Sequence, residues 1–422
     1  MSIDPVRIGD CINCNPTIKL DKGKSYPVID INKIEPGKKY VCNKDIAIFS
    51  GQGGSRFENG DTLMARITPC LENGKIAQAA ILGKGFGSTE LFVFRGVDGV
   101  TDNDFVYYLF RQQHIRALAV NSMTGASGRQ RADLKFIKRI KIELPSLSDQ
   151  KTIASILSNH DNLIENNTKR IHLLEQMAEN LYKEWFVRFR FPGHKTDRLV
   201  ASKLGKLPSS FHVVNMGSIF DYYIGGGWGN DDISDDYPVE ASVIRGTDFP
   251  NVSRYNISSC PRRYHKISNY KSRQLVDGDI VMEISGGTSE QPVGRTVLVT
   301  QEMIDRFKDG KVICASFCKL IRLNKAAVSP YFFYYWMQYL YDTRIIDRFQ
   351  LQSTGIINFK FEAFLRKGLV MLPPMEIMQQ FDNYIIPVFK AINTLATQNE
   401  ILARQRDLLL PRLMSGKLKV TK

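Results

Sequence analysis

The chain has 422 residues, of which 43% are hydrophobic, and its formal net charge is +14 at neutral pH. This length excludes a single small domain and indicates two or three folded domains. The excess of basic residues favours a polyanionic partner or an acidic membrane surface.

Neither the N-terminus nor the cysteine content indicates export or membrane insertion. Residues 1–10 contain charges and no apolar segment, so no signal peptide is predicted. The most apolar run, residues 331–341, is too short for a bilayer span, which needs about 20 residues. Seven cysteines at irregular spacing indicate free thiols in a reducing compartment. We therefore expect a soluble, cytoplasmic protein without a membrane partner.

Short strand-like runs separated by glycine-rich turns predict a first globular domain over residues 1–146. Asn59-Gly60 is typical of a tight turn because glycine accepts a positive φ. Asp102 offers a cap for a helix that carries Phe105 and Tyr108. A basic cluster follows, for which an ordinary solvated face is the alternative interpretation. Its members are Arg129, Arg131, Lys135, Lys138, Arg139 and Lys141.

Apolar residues at alternating intervals of four and three predict a long spacer helix over residues 147–190. The ten positions of this seam are Ile153, Leu157, His160, Ile164, Asn167, Ile171, Leu174, Ala178, Leu181 and Trp185. A linker is predicted over residues 191–210, where Pro192, Gly193, Gly205 and Pro208 interrupt any helix.

The second half of the chain repeats the order of the first, which predicts a second globular domain over residues 211–374. Residues 59–64 read Asn-Gly-Asp-Thr-Leu-Met and correspond to Asp-Gly-Asp-Ile-Val-Met, 218 positions later. Leu144-Pro145 corresponds to Leu372-Pro373, 228 positions later. The chain is therefore interpreted as a tandem duplication of a mixed α/β (α+β) domain, each copy followed by a long helix.

A second spacer helix is predicted over residues 375–422, with a seam of the same spacing. Its ten positions are Phe381, Ile385, Val388, Ile392, Leu395, Asn399, Leu402, Arg406, Leu409 and Leu413. Antiparallel pairing of the two seams sets His160 opposite Arg406 and Asn167 opposite Asn399, and the amide pair would reject other registers. Two independent amphipathic helices are the alternative. Pro387 either kinks this helix or marks its first turn.

No motif for catalysis, cofactor binding or metal binding is recognised. The sequence has neither a glycine motif for nucleotide phosphates nor the Asn-Pro-Pro-aromatic pocket of an amino-methyltransferase. Cys11 and Cys14 form a lone C-x-x-C without the further ligands that zinc needs. The sequence therefore predicts a protein that is not an enzyme and has no catalytic site, metal site or cofactor of its own.

Two domains about one helical turn apart, roughly 34 Å, would reach the same groove of double-stranded DNA. Arg and Lys read guanine, Gln reads adenine, and cations hold phosphates. Loop residues of these types are the candidate DNA contacts, although each could be an ordinary loop residue. They are Gln52, Arg56, Arg66, Lys75, Arg129, Gln130, Arg131, Arg245, Gln291, Arg295 and Lys360.

Two segments carry a family resemblance. Residues 59–75 read Asn-Gly-Asp-Thr-Leu-Met-Ala-Arg-Ile-Thr-Pro-Cys-Leu-Glu-Asn-Gly-Lys, and residues 410–417 read Leu-Pro-Arg-Leu-Met-Ser-Gly-Lys. With the repeat and both helices, they resemble the specificity subunits of type I restriction–modification systems over essentially the whole chain. The second domain departs from this pattern, since Glu-Ile-Ser-Gly-Gly-Thr stands at residues 283–288.

The resemblance implies two target-recognition domains, separated by a pair of long antiparallel coiled-coil helices, that read a bipartite DNA site. It also implies two methylation subunits and restriction–motor subunits as partners, which would carry S-adenosylmethionine, ATP and magnesium. Two alternatives remain. Cofactor binding by the lone chain would favour a self-sufficient DNA-modifying enzyme with an unrecognised site. Absent or salt-insensitive DNA binding would favour a coiled-coil scaffold protein.

Overall fold

The computed structural model describes residues 4–42, 45–126, 128–288, 291–353 and 356–419. Contacts divide the chain into two compact units, which we call unit 1 (Met1–Asn166 with Asn399–Lys422) and unit 2 (Asn167–Gln398). Each unit therefore contains one part of each long helix. The domain limits predicted from the sequence stay predictions.

Unit 1 consists of short strands with helices packed on them. Its strands are β1 (Val6–Arg7), β2 (Ile12–Cys14), β3 (Ser25–Ile29), β4 (Tyr40–Val41), β5 (Ile46–Ile48), β6 (Ser55–Glu58), β7 (Thr62–Ala65), β8 (Ile76–Ala79), β9 (Lys84–Gly87), β10 (Leu91–Gly96) and β11 (Lys141–Ile142). Its helices are α1 (Ile8–Cys11), α2 (Asn103–Arg111), α3 (Gln113–Asn121), α4 (Leu134–Arg139) and the first part of α5 (Leu147–Tyr182). Asp102 caps α2 as predicted, since its side chain accepts from the backbone N–H of Phe105.

Unit 2 has the same kind of construction. Its strands are β12 (Leu199–Ser202), β13 (Gly205–Pro208), β14 (His212–Asn215), β15 (Phe220–Gly225), β16 (Val239–Ile244), β17 (Arg262–His265), β18 (Ile280–Glu283), β19 (Ser285–Gly287), β20 (Thr296–Leu298), β21 (Val312–Cys314), β22 (Cys318–Leu323), β23 (Gln350–Ser353), β24 (Ile356–Phe359) and β25 (Leu369–Leu372). Its helices are α6 (Phe249–Val252), α7 (Ile267–Arg273), α8 (Gln301–Ile304), α9 (Pro330–Asp342), α10 (Phe361–Lys367) and most of α11 (Met375–Met414). Helix α5 ends in unit 2 with a π-helical turn over Lys183–Val187.

The sheets confirm the predicted duplication. The strand order β2-β10-β7-β8 of unit 1 matches the order β15-β22-β18-β20 of unit 2. In both units an early strand pairs with the strand that leads into a long helix, as β1–β11 in unit 1 and as β14–β25 in unit 2, where the β12–β13 hairpin comes first. The chain is therefore a mixed α/β protein with two tandem domains and two long helices.

One buried ion pair also occurs in both units. Asp61, just before β7, accepts hydrogen bonds of 2.6 and 2.8 Å from Arg95 of β10. Asp279, just before β18, accepts two hydrogen bonds of 2.8 Å from Arg322 of β22. Both carboxylates are fully buried, and each also accepts a backbone N–H from the residue three positions earlier. The pair therefore holds the turn before a central strand against the neighbouring strand.

In unit 1 the stretches of the two long helices run antiparallel and share the core. Ile153 of α5 belongs to the same buried cluster as Leu413 of α11. Further along α5, Asp161 forms an ion pair with Arg406, which lies earlier in α11. Residue numbers thus rise along one helix as they fall along the other, as the seam predicts.

The partner of Arg406 differs from the prediction by one residue. Arg406 is 3% exposed and meets Asp161 rather than His160, because a buried guanidinium requires a carboxylate as its counter-charge. The Nδ1 atom of His160 lies 2.9 Å from the backbone oxygen of Ile156, within its own helix.

In unit 2 the two long helices contact each other through aromatic rings. The ring of Phe381 in α11 lies 6.0 Å from those of Tyr182 and Trp185, centroid to centroid. The side-chain amide of Asn167 donates to Gln398 at 3.3 Å. The predicted Asn167–Asn399 contact joins residues of different units and stays a prediction. Among the described residues, the side-chain oxygen of Asn399 is buried without a partner.

Helix α11 starts at Met375, so Pro387 does not mark its first turn. None of the helices in the described part of the chain is long and apolar enough to cross a membrane.

The Asp161–Arg406 pair gives a stability prediction. We expect Asp161→Asn to lower the free energy of unfolding by about 3–5 kcal/mol, because the buried Arg406 loses its buried carboxylate partner and keeps only the exposed Asp407. Asp407→Asn is the control, since Asp407 contacts the same arginine but is 54% exposed, and it should cost less than about 1 kcal/mol. Denaturant unfolding measures both. Adding Arg406→Leu to Asp161→Asn removes the unpaired charge and should recover most of the loss. Equal losses in the two single variants would refute this account.

Asp382 gives a pH prediction for unit 2. Burial raises the pKa of Asp382 to about 6, although the hydroxyl of Ser329 donates to it at 2.7 Å and opposes the rise. A raised carboxyl pKa contributes stability at low pH that is lost as the pH rises through about 6. Asp382→Asn should therefore raise the free energy of unfolding at pH 8 by about 1 kcal/mol, a value discounted for partial exposure, and change it little at pH 4.

Glu376→Gln controls for the loss of one charge, because Glu376 is an exposed carboxylate of the same helix. Unfolding curves at the two pH values decide the outcome. The same pH dependence in Asp382→Asn and in the unmodified chain would contradict the prediction.

Candidate nucleic-acid interface

Three backbone segments of unit 1 meet at one end of the five-stranded sheet. Strand β7 ends at Ala65, opposite Leu91 at the start of β10. One residue further, the N–H of Arg66 donates to the backbone oxygen of Glu90 at 3.0 Å. The oxygen of Arg66 accepts from the N–H of Ala132 at 2.8 Å. The backbone of Arg66 is thus held on both sides, at the edge of a cavity of about 610 Å³.

The cavity, which we call the basic cleft, is lined by four cations: Arg66, Arg131, Lys135 and Lys138. Asp133 also lines it, but its carboxylate caps α4 by accepting from the N–H of Lys135 at 2.8 Å. Over the described residues, neither lysine of the cleft forms an ion pair. An anion would therefore meet two uncompensated ammonium groups here.

Arg66 lines the basic cleft with a side chain that is 34% exposed. Its guanidinium carbon is 5.1 Å from the ring centre of Phe92, in a cation–π contact. Within the part of the chain that the structure describes, the guanidinium donates no hydrogen bond, and its buried Nε has no partner. Glu90 approaches it to 3.9 Å, beyond hydrogen-bonding distance. Arg66 is therefore oriented by packing while its hydrogen-bond donors remain available.

Arg131 is bound to Glu90 in the same cleft. Its Nε and Nη2 donate to both carboxylate oxygens, at 2.7 to 3.1 Å. The hydrogen bonds from Arg131 lower the pKa of Glu90, so this carboxylate is ionised at neutral pH. The carboxylate of Glu90 thus lies close to two of the four cations of the basic cleft, Arg66 and Arg131.

The side chains of the other candidates of unit 1 mostly form hydrogen bonds to nearby residues of the same unit. The side chain of Gln52 bonds to Ser50 at 2.6 and 2.8 Å. Arg56 donates to the backbone oxygen of Ile18 at 3.2 Å, and Lys75 to that of Ile31 at 3.0 Å. Two further candidates lie beside Arg131: the side chain of Arg129 is exposed, and the backbone of Gln130 bonds to Thr68.

The arginine candidates of unit 2 hold loops in place. Arg245 donates twice to Asp248, at 2.9 Å, and caps a short 3₁₀ turn, Gly246–Asp248. Arg295 donates twice to the buried Glu283, at 2.7 and 2.8 Å. With the amide of Gln291 turned over so that both of its polar atoms find partners, its side-chain oxygen accepts from Arg295 at 2.9 Å. Lys360, just before α10, remains exposed.

The predicted set omitted residues that the fold brings to this site. Lys135 and Lys138 stand in the basic cluster of the sequence, but Phe92 and Glu90 carry no local signal. The duplication indicates further basic candidates in unit 2, because α4 and α10 both follow a sheet and precede a long helix. At the 228-residue offset, Lys138 and Arg139 correspond to Arg366 and Lys367 in the last turn of α10.

The described residues contain no group of three or more His, Cys, Asp or Glu side chains that could hold a metal ion. In the C-x-x-C motif, Cys11 donates to the backbone oxygens of Arg7 and Ile8, at 3.4 and 3.7 Å. Burial raises the pKa of Cys14 to about 11, which disfavours the thiolate that metals bind.

Comparison with known proteins shows what the chain is similar to. Residues 4–176 match the family described as the type I restriction modification DNA specificity domain. The MjaIX specificity subunit of a type I restriction enzyme from Methanocaldococcus jannaschii is 25% identical over 339 residues, which cover 76% of this chain and 70% of that protein. The putative MjaX specificity subunit of the same organism is 24% identical over 434 residues, or 96% and 90% of the two chains.

Two further likenesses agree. The EcoAI specificity subunit of Escherichia coli is 30% identical over 136 residues, 31% of this chain and 23% of that protein. The crystal structure of the type I S subunit from M. genitalium has the same fold, with a TM-score of 0.52, 15% identity, and coverage of 97% and 96% of the two chains. The chain is thus similar to the specificity subunits of type I restriction–modification systems, and its residues 4–176 match the DNA specificity domain of that family.

Proposed function

We propose that this chain reads a bipartite DNA sequence and directs partner subunits to it, without catalysis of its own. The basic cleft carries the proposal. In the described part of the chain it presents two lysines without ion pairs beside an arginine whose backbone is fixed and whose guanidinium donates no hydrogen bond. Kinship with specificity subunits supports it, and neither the enzyme nor the scaffold alternative gains support from the relatives.

In unit 1 the residues of the cleft divide into two roles. The planar guanidinium of Arg66 matches the O6 and N7 acceptors of guanine. Because Phe92 already holds the side chain in place, Arg66 loses less conformational entropy when it binds. Lys135 and Lys138, both exposed, suit phosphate oxygens as point charges. Arg66 therefore confers sequence preference, and the lysines confer affinity.

In unit 2 we assign phosphate contacts to Lys360, Arg366 and Lys367, at the two ends of α10. Arg245 and Arg295 position loops through their carboxylate partners rather than touching bases. Since the unit 2 counterpart of the Arg66 segment reads differently, the two units would recognise different half-sites.

The long helices expose apolar side chains that partner subunits would cover. Leu163, Leu173 and Met177 of α5, and Tyr384, Ile401 and Leu408 of α11, are each more than half exposed. We propose that two methylation subunits dock on these helices and that restriction–motor subunits join them. S-adenosylmethionine, ATP and magnesium would bind to those partners, and the complex would act on chromosomal DNA in the cytoplasm.

The test is to express the chain with its methylation subunit in a host without other adenine methylation and to map N6-methyladenine in the DNA. We expect a split motif, with two short specified parts around a fixed unspecified gap. An unsplit motif, or the same methylation without this chain, would overturn the proposal.

The two roles in the cleft give a further prediction. Arg66→Gln should weaken binding to the mapped site by about 5- to 150-fold and relax preference at one base pair, since one good base contact is worth about 1–3 kcal/mol. Lys138→Gln should weaken binding to all sequences alike and reduce the salt slope by about 1.

Fluorescence anisotropy with the mapped duplex and single-base variants measures both effects. Lys38→Gln is the control, because Lys38 is an exposed lysine of unit 1 paired with Glu35 and does not line the basic cleft. Equal loss on every duplex in Arg66→Gln would contradict base reading by Arg66.

A further inference from the structure

Glu90 is placed between the two arginines of the basic cleft by the backbone. It precedes β10, and its backbone oxygen accepts from Arg66, so the two residues lie opposite each other at the end of an antiparallel pair. Arg131 reaches the same place because residues 124 and 131 exchange backbone hydrogen bonds of 3.0 and 2.9 Å. A carboxylate is thus built into a surface that otherwise attracts anions.

The ion pair of Glu90 is poised for exchange with a ligand. The side chains of Glu90 and Arg131 are 22% and 43% exposed, so solvent and ligands reach the pair. An ion pair at a different position of the unit 2 sheet, Glu283 at the end of β18 with Arg295 just before β20, is 7% and 18% exposed, and Arg295 also donates to the backbone oxygen of Gly246 at 2.9 Å. The unit 2 pair is therefore structural, whereas the unit 1 pair can open without exposing the core.

We propose that Glu90 is a specificity-determining residue that competes with DNA for Arg131 and Arg66. This inference rests on the proposed function. A phosphate that takes Arg131 leaves the Glu90 carboxylate unpaired beside a polyanion, which is unfavourable. A cognate half-site would instead give Glu90 a new partner, because an exocyclic base amino group such as cytosine N4 donates a hydrogen bond to the carboxylate. Arg66 would bind an adjacent guanine at the same time. Glu90 thereby penalises binding to sequences that lack this donor.

The experiment compares Glu90→Gln with Glu35→Gln in the full-length chain. Glu35 is an exposed carboxylate of unit 1, paired with Lys38, so its change alters the net charge equally. Binding to a random-sequence duplex and to the mapped duplex is measured by anisotropy over a series of salt concentrations. We expect Glu90→Gln to bind the random duplex about tenfold more tightly and to lose about tenfold in its preference for the mapped duplex.

Arg131→Lys provides a second variant whose charge is unchanged. Lysine cannot form both hydrogen bonds to Glu90, so the carboxylate is less neutralised and random-duplex affinity should fall. If Glu90→Gln and Glu35→Gln bind both duplexes with equal affinity, the role of Glu90 is refuted. If Glu90→Gln does not fold, Arg131→Lys decides, and an unchanged affinity for the random duplex refutes the role.

Failure of the proposed function would appear differently. If the unmodified chain binds neither duplex, or binds both without loss in Lys138→Gln and Arg66→Gln, the basic cleft does not contact DNA. If those variants lose binding as expected while Glu90→Gln behaves like Glu35→Gln, the cleft contacts DNA and only the competition by Glu90 is refuted.

Discussion

A buried cation determines how unit 1 holds the long helices. Arg406 of α11 is almost inaccessible and pairs with Asp161 of α5, which also accepts from the hydroxyl of Tyr108 at 2.5 Å. Nearby, the buried Lys39 donates to Ser158 of α5 at 2.7 Å. A shift of either helix would separate these charges in an apolar setting, which costs several kcal/mol. The network thus selects one register and joins the globular part of unit 1 to both helices.

The two units share what supports the sheet and differ in what surrounds it. The pairs Asp61–Arg95 and Asp279–Arg322 have the same geometry, because both turns must lie against the same neighbouring strand. Between the two long helices, however, unit 2 places aromatic rings where unit 1 places a buried ion pair. The carboxylate pairs also differ in position: the accessible Glu90–Arg131 pair of unit 1 lies at the start of β10, whereas the buried Glu283–Arg295 pair of unit 2 lies between the end of β18 and the start of β20. Duplication has therefore kept the scaffold and let the surfaces diverge, as two different half-sites would require.

Most arginines chosen from the sequence have carboxylate or carbonyl partners in the fold. A loop arginine looks the same in sequence whether it reads a base or supports a turn, as Arg245 does with Asp248. Arg66 stands apart only because its backbone is fixed, its ring partner is Phe92, and its carboxylate neighbour is 3.9 Å away. Residue type alone therefore predicts many candidate DNA contacts, and the fold excludes most of them because their hydrogen bonds are already made within the protein.

The sequence by itself determined the duplication, the mixed α/β class, the two long helices and their antiparallel course in each unit. These depend on periodicity and on spacing along the chain, which are local properties. It placed Arg406 one residue from its true partner, because a seam records which face is buried but not how far an arginine reaches. Only the tertiary structure decided that Glu90, Arg66 and Arg131 meet. Their contact depends on three segments far apart in sequence, and no local pattern encodes which side chains such segments bring together.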